Sequence, residues 1–412
     1  MRSGLISRRR MLQTIGTLTS TMALKGIALA GYETQIHSKT IISMQSELYH
    51  GWPTLTQRSN GELLLVCSGG RESHVCPFGR VELMRSKDQG KNWSFPRTLL
   101  DGPLDDRDAG VMETSKGNLL VTTFTSIEYE PILALAEKQL SWLPERLKRW
   151  QAVYRRITAA ERDQGLGSWI IRSVDGGYSW SAPYRCLVNS PHGPIQLSDG
   201  RLLYAGKIFW YGDSGNRKGR IGVCESTDDG QSWRWLAEIP RRAGDNFDGY
   251  HELHAVETTT GRLIVHIRNH NQPNYRETLQ SESTDGGKTW SKPHTIGVWG
   301  LPSHLLRLKD GRLLMSYGYR RPPWGNQARV SEDQGRTWSS PITISDDGPS
   351  NDLGYPSTVE LSDGSLLTVW YEVMASKAQP KKKDPQTRLQ RQLTMASRLD
   401  PAVLRQAHWS LG

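Results

Sequence analysis

The segment LDDRDAG (104–110) sets Asp105, Asp106, Arg107 and Asp108 in four consecutive positions. Crowded carboxylates raise one another's pKa, so such a cluster can keep a proton for a general acid while its arginine holds an anionic substrate. A turn network that satisfies its own charges is an equally good reading. A second stretch, SGGRESHVCPFGRVELMRS (68–86), offers Arg71, Glu72, His74 and Arg80. His192 in SPHGP, His251, His270 and His304 in LPSH add imidazoles able to change charge near neutrality. Some of these are expected to line a pocket, although an isolated histidine is more often structural.

These groups lie far apart in sequence, so a scaffold has to bring them together. Among the 412 residues, 15 Trp, 14 Tyr and 40 Gly stand beside a hydrophobic content of 36%, the composition of short strands joined by tight turns. A turn of the form Ser-x-Asp-x-Gly-x-x-Trp recurs five times, as SKDQGKNW (86–93), SVDGGYSW (173–180), STDDGQSW (226–233), STDGGKTW (283–290) and SEDQGRTW (331–338). Asp caps the turn amides, Gly takes the positive φ and Trp packs back on the flanking strands, so each copy staples a hairpin. Between the boxes a turn followed by an apolar strand occurs six times: SNGELLLV (59–66), SKGNLLVT (115–122), SDGRLLYA (198–205), TTGRLIVH (259–266), KDGRLLMS (309–316) and SDGSLLTV (362–369). This spacing fits a four-stranded blade, and the count predicts an all-β, six-bladed propeller.

The first two boxes are separated by a surplus at 128–165, EYEPILALAEKQLSWLPERLKRWQAVYRRITAAERDQG, with helical composition and spacing. It predicts a helical insertion on blade two, with Leu133, Leu135, Leu140, Leu143 and Leu147 packing on the propeller flank in preference to forming a substrate lid. Blade six has no box, and residues 33–43 are expected to supply its outer strand. The basic stretch KAQPKKKDPQTRLQRQ (377–392) then falls in an exposed loop of that blade.

Residues 1–30 carry SRRRML ahead of a mildly apolar run ending in Ala28-Leu29-Ala30, the pattern of a twin-arginine export signal. The run is too polar for a membrane span. An exported protein, periplasmic or secreted, is therefore expected, with the propeller over 31–412. The net charge of +10 includes Arg2, Arg8, Arg9, Arg10 and Lys25 of the signal, which leaves a modestly basic chain. That balance suits an acidic sugar and suits plain solubility equally. No basic cluster sits on a nucleic-acid-binding motif. Cys67, Cys76, Cys186 and Cys224 have no metal-ligand spacing and are expected as reduced, packed thiols, with a Cys67–Cys76 hairpin disulfide as the alternative. Neither metal nor cofactor is expected.

Boxes of this form on a six-bladed propeller resemble the sialidases (neuraminidases), over most of the chain after residue 40. The boxes mark scaffold and occur in propellers of other function, so the resemblance has to be carried by individual residues. Sialidases place a glutamate before a blade-four strand and a carboxylate-binding arginine sixteen residues later; HELHAVETTTGRLIVHIR supplies Glu252 and Arg268 at that separation. Their nucleophilic tyrosine precedes a serine near the last inner strand, and GYPSTVELSDGSLLTVWYE supplies Tyr355. The pairing has a physical reason: a carboxylate nucleophile would be repelled by the substrate's own carboxylate, whereas a phenol activated by Glu252 is not. A structural ion pair with a packed tyrosine is the alternative.

Blade one departs from the family. Where Tyr-Arg-Ile-Pro is usual this chain reads YHGWPTL (49–55), and the loop that usually holds an acid/base Asp has none. By position His74 is nearest the missing acid, and Arg320 in YGYRR lies nearest a third arginine. The resemblance implies an exo-acting glycoside hydrolase on a terminal sialic-acid-like or other acidic sugar. Tyr355 is the expected nucleophile with Glu252 its base, His74 or an Asp of the 105–108 cluster (Asp106) the proton donor, and Arg268 with Arg71, Arg107 or Arg320 the clamp, beside His192. Two other classes stay open: a uronic-acid polysaccharide lyase using His, Tyr and Arg, and a non-catalytic propeller that binds acidic glycans. The expected partner in all three is an acidic glycan.

Overall fold

The computed structural model describes residues 31–139, 142–209, 217–374 and 401–412. Residues 1–30, expected to form an export signal, Leu140 and the basic stretch 377–392 lie outside the described residues. No described helix is long and apolar enough to cross a membrane.

Where six separate blades were expected, the described strands form four separate four-stranded sheets and one of eight strands. The four are antiparallel meanders whose inner strands are Asp105–Glu113, Ile195–Gln196, Tyr250–Glu257 and Ser303–Arg307. The eight-stranded sheet joins two further meanders, one starting at Leu353–Glu360 and one at Tyr49–Gln57. Their junction is a single parallel pair, Tyr49 with Ala402. Thr34–Ile41 pairs antiparallel with Ala402–Leu411, so the N-terminal segment does supply an outer strand next to the C-terminal one.

The inner strands surround an axis, and side chains tie each to the next. Leu55 N–H donates to Ser357 Oγ at 3.0 Å, Leu253 N–H to Ser190 Oγ at 2.6 Å and Leu305 N–H to His254 Nδ1 at 2.9 Å. These bonds satisfy backbone groups that a short, twisted inner strand would otherwise leave unpaired in the interior. The rest of the scaffold is apolar packing between neighbouring sheets, such as Leu64, Val66, Val111 and Val121 between the first two. It is an all-β propeller arrangement.

All five boxes close in one way. In STDGGKTW, Ser283 Oγ donates to Asp285 at 2.8 Å and accepts from Gly287 N–H at 3.0 Å, while Asp285 accepts from Thr289 N–H at 2.9 Å. Gly287 has φ +89°, a conformation that favours glycine. These bonds hold the Asp285 carboxyl down at about 2.

Between the strands Leu119–Ser126 and Ser168–Ser173 lie three helices, α1 (Tyr129–Gln139), α2 (Pro144–Arg156) and α3 (Ala159–Gly165). The expected leucine contacts hold only in part. Leu133 is buried and Leu135 and Leu147 pack beside it, but Leu143 is 69% exposed. The cluster they join includes Val75, Cys76 and Phe78, so the insertion packs on the loop that carries His74. Glu72 in that loop accepts from Arg146 Nε at 3.1 Å, Arg149 Nη2 at 2.6 Å and Trp150 Nε1 at 3.1 Å. The four cysteines are free, buried thiols; Cys67 and Cys76 are not bridged.

Candidate active site

The inner strands are bulged where they approach one end of the axis. Register shifts fall between Gly51 and Thr54, Arg107 and Gly110, Tyr250 and Leu253, and Gly354 and Ser357. A bulge re-aims the side chain it contains. Here those side chains are Trp52, Asp108, Glu252 and Tyr355, and all four line one cavity of about 930 Å³. Trp52, Asp108 and Tyr355 have positive φ (55°, 40° and 53°), a conformation costing about 1–3 kcal/mol for such residues and concentrated at functional sites. Blade three has a counterpart in His192, at φ 73°, but its side chain is buried and does not line the cavity.

Tyr355 and Glu252 meet directly. The phenol donates to Glu252 Oε1 at 2.6 Å, and Arg268 Nη1 donates to that same oxygen at 2.8 Å and to the phenol oxygen at 3.1 Å. Burial alone would raise the Glu252 carboxyl, but Arg268, His251 and the Tyr355 hydroxyl outweigh it and hold it at about 2. Burial and the Glu252 charge together push the Tyr355 phenol well above its ordinary value. The resting pair is therefore a neutral phenol hydrogen-bonded to a carboxylate.

The four expected arginines are placed differently. Arg268 lines the cavity but is already engaged by Glu252. Arg320 also lines it, 5.8 Å from the Tyr355 ring, and its buried Nε and Nη2 have no hydrogen-bond partner in the protein. Arg107 lines it with its guanidinium 4.4 Å over the Trp52 ring. Arg71, expected among the clamp residues, is fully buried and does not reach the cavity. It pairs with Asp105 at 2.5 and 3.0 Å and sits 4.9 Å from the Trp52 ring, a structural strut under the wall.

His74 does line the cavity, with 27% of its side chain exposed. Its Nδ1 lies 2.8 Å from the Tyr49 hydroxyl and 3.3 Å from Asp352 Oδ2. Burial lowers its pKa in spite of Asp352, so the ring is a neutral imidazole at pH 7. Asp352 also accepts from the Tyr371 hydroxyl at 2.7 Å; burial opposes its ionisation, but His74 and Arg320 hold it at about 2.

Asp106 and His192 are not brought to the cavity. The Asp106 side chain is sealed beneath the strand, accepting from Gly102 N–H at 2.7 Å. His192 packs with His254 and His304 at ring distances of 5.3 and 4.9 Å, a plug of three imidazoles on the axis under the floor. It is the cluster's fourth member, Asp108, that faces the cavity. Burial is the main cause raising its carboxyl to about 7, Glu252 adding to the rise and Arg107 opposing it. Trp52, Asp352 and Tyr371 were not singled out from the sequence. The signal for Trp52 was present: Gly51-Trp52-Pro53-Thr54 repeats the pattern of Gly354-Tyr355-Pro356-Ser357.

Among the described residues no three His, Cys, Asp or Glu side chains form a metal-holding group.

Comparison with solved structures agrees with the arrangement. A protein of unknown function from Dyadobacter fermentans superposes with a TM-score of 0.67 at 21% identity, covering 92% of this chain and 99% of that one. The NanB sialidase of Streptococcus pneumoniae gives 0.57 at 15% identity, over 82% of this chain and 67% of that one. The intramolecular trans-sialidase of Ruminococcus gnavus gives 0.55 at 14%, over 84% and 93%. These likenesses show the fold. A curated xyloglucanase from a Paenibacillus species is 29% identical over 142 residues, which are 34% of this chain and only 13% of that enzyme. Residues 147–368, more than half of the chain, match the BNR repeat-like domain. Since that match spans more than half of its residues, the chain belongs to the BNR repeat-like domain family.

Proposed function

We propose that this cavity hydrolyses the bond to a terminal acidic sugar, sialic-acid-like in placing a carboxylate beside the anomeric carbon, at the end of a glycan. The observation that carries this reading is the contact of Tyr355, Glu252 and Arg268 around one phenol oxygen. Tyr355 attacks the anomeric carbon while its proton passes to Glu252, and a neutral phenol can approach a carbon next to a carboxylate without charge repulsion. Arg320, with two unpartnered donors, and Arg268 hold the substrate carboxylate by charge-assisted bonds, with Arg107 at the opposite wall. The departing oxygen takes a proton from the wall formed by His74 and Asp108. The sialidase names among the structural neighbours and the xyloglucanase name support glycoside hydrolysis as the reaction class. In this reading the eight-stranded sheet counts as two blades, six in all, and the chain is exported by the twin-arginine route.

One observation favours a second reaction. A neutral His74 held against Asp352 suits a base, and with Arg320 neutralising a uronate it would abstract the C5 proton in a polysaccharide lyase. A screen of acidic glycans with mass and ultraviolet detection separates these possibilities. A hydrolase releases a sugar without ultraviolet absorbance and a lyase leaves an absorbing double bond. A binding protein returns the glycan intact. Tyr355→Phe is expected to abolish turnover and keep binding; full activity in that variant would overturn the nucleophile assignment.

A further inference from the structure

Two groups on the wall facing Tyr355 can exchange a proton, and the fold does not treat them alike. Asp108 occupies the bulge position that on three other inner strands presents Trp52, Glu252 and Tyr355 to the cavity. Its residue is 6% exposed, and its Oδ1 is buried without any hydrogen-bond partner in the protein. A carboxyl oxygen removed from water and left unpaired is costly when ionised and much less so when protonated. His74, by contrast, has its Nδ1 occupied by Tyr49 and Asp352.

Resting on the hydrolase reading above, we propose that Asp108 is the catalytic acid of this site, standing in for the aspartate that blade one lacks. As Tyr355 forms its bond to the anomeric carbon and hands its proton to Glu252, the bond to the departing oxygen breaks and that oxygen takes the Asp108 proton. In the second half the bond to Tyr355 breaks as water attacks the same carbon and gives a proton to the Asp108 carboxylate, and the phenol oxygen recovers its proton from Glu252. Both residues end as they began.

The charged and titratable groups that face Asp108 come from every side. Arg107 on its own strand, Arg71 on the strand Leu63–Arg71 and Arg268 on Leu263–Asn269 favour the carboxylate; Glu252 on Tyr250–Glu257 opposes it, with the Tyr355 phenol nearby. Burial outweighs the arginines and leaves the carboxyl poised at about 7, whereas His74 at that pH has no proton to give unless it first takes one up.

The test uses the full chain and the variant Asp108→Asn, which keeps the shape and tolerates positive φ. The probes are the methyl and 4-nitrophenyl glycosides of N-acetylneuraminic acid. Expected is a loss of about 10²–10⁴-fold on the methyl glycoside, whose leaving group needs the proton, and a far smaller loss on the nitrophenyl glycoside. The infrared difference between wild type and variant should show a protonated carboxyl at pH 6 that disappears by pH 8. Equal losses on the two probes, no loss on the methyl glycoside, the same leaving-group dependence in His74→Ala in place of Asp108→Asn, or no protonated carboxyl at pH 6 would each overturn the assignment. If the wild type cleaves neither probe, it is the hydrolase reading on this sugar that fails, and the assignment falls with it.

Discussion

Ser190 grips Leu253 twice: its hydroxyl accepts the Leu253 N–H at 2.6 Å and donates to the Leu253 carbonyl oxygen. Leu253 directly follows Glu252 and is the residue at which the ladder resumes after the bulge, opposite Ile267. Ser190→Ala leaves a buried N–H and a buried carbonyl unpaired, at about 1–3 kcal/mol for each. The expected result is a lower melting temperature together with a fall in kcat of tenfold or more, larger than the change in KM, since in the proposed hydrolysis Glu252 would lose its aim at the Tyr355 phenol. Steady-state kinetics on any cleaved acidic glycan, with a thermal melt alongside, would decide it; an unchanged kcat would mean that the bulge holds without Ser190.

Arg320 lines the cavity and differs from Arg268 in having buried Nε and Nη2 atoms without a hydrogen-bond partner in the protein. Two charge-assisted bonds contribute about 1.5–3 kcal/mol each. Arg320→Lys keeps the charge and loses the fork, so KM should rise by about tenfold or more while the structure stays intact. If affinity for an acidic glycan were the same in the variant, the substrate carboxylate would have to bind elsewhere.

The imidazole plug gives the fold an acid sensitivity. His192, His254 and His304 are each pushed well below 6.5 by burial, and by one another's proximity. Because the unfolded chain binds these protons and the folded one does not, their contribution is complete above pH 6.5 and is lost as pH falls below it. The slope is about 1.4 kcal/mol per pH unit per histidine. Asp106 and Asp108 act in the opposite sense, since their folded values near 7 favour folding as pH drops toward the ordinary carboxylate range. His304→Gln should therefore flatten the decline of stability between pH 6.5 and 5 by about one histidine's share. Denaturant melts at several pH values check this; an unchanged slope would show that the plug takes up protons while folded.

The scaffold was easier to read from the sequence than the site was. Box turns are local: Ser283, Asp285 and Gly287 bond within five residues, so their spacing carries the geometry. Glu252, Arg268 and Tyr355 were legible because two of them share a hairpin and the third has a recognisable turn. Asp108 was not distinguished from Asp106, because which of two residues faces the axis depends on a bulge set by the pairing of Arg107 with Phe124 and Gly110 with Thr122. Asp352, 278 positions from its partner His74, had no local signal at all; only closure of the ring brings the two together.

The helical insertion and the cavity wall are joined through Glu72. Its carboxylate is the only acidic group bonded to Arg146 among the described contacts, and Arg146 is buried with its guanidinium 4.5 Å over Trp142 and 5.3 Å over Trp150. Removing Glu72 leaves that cation paired only with the aromatic faces and a long contact to Ser73, a loss of about 3 kcal/mol by comparison with other broken buried pairs. Since Glu72 lies two residues before His74, the loosened helices should free the loop as well. Glu72→Ala is expected to expose α2 to limited proteolysis and lower the melting temperature, and to reduce kcat by displacing His74 and the wall beside it. Glu72→Gln, which keeps hydrogen-bond acceptance from Arg146, should recover part of the proteolytic resistance. A Glu72→Ala protein with normal turnover and a protease-sensitive insertion would show that the helices are carried by the propeller without bracing its catalytic face.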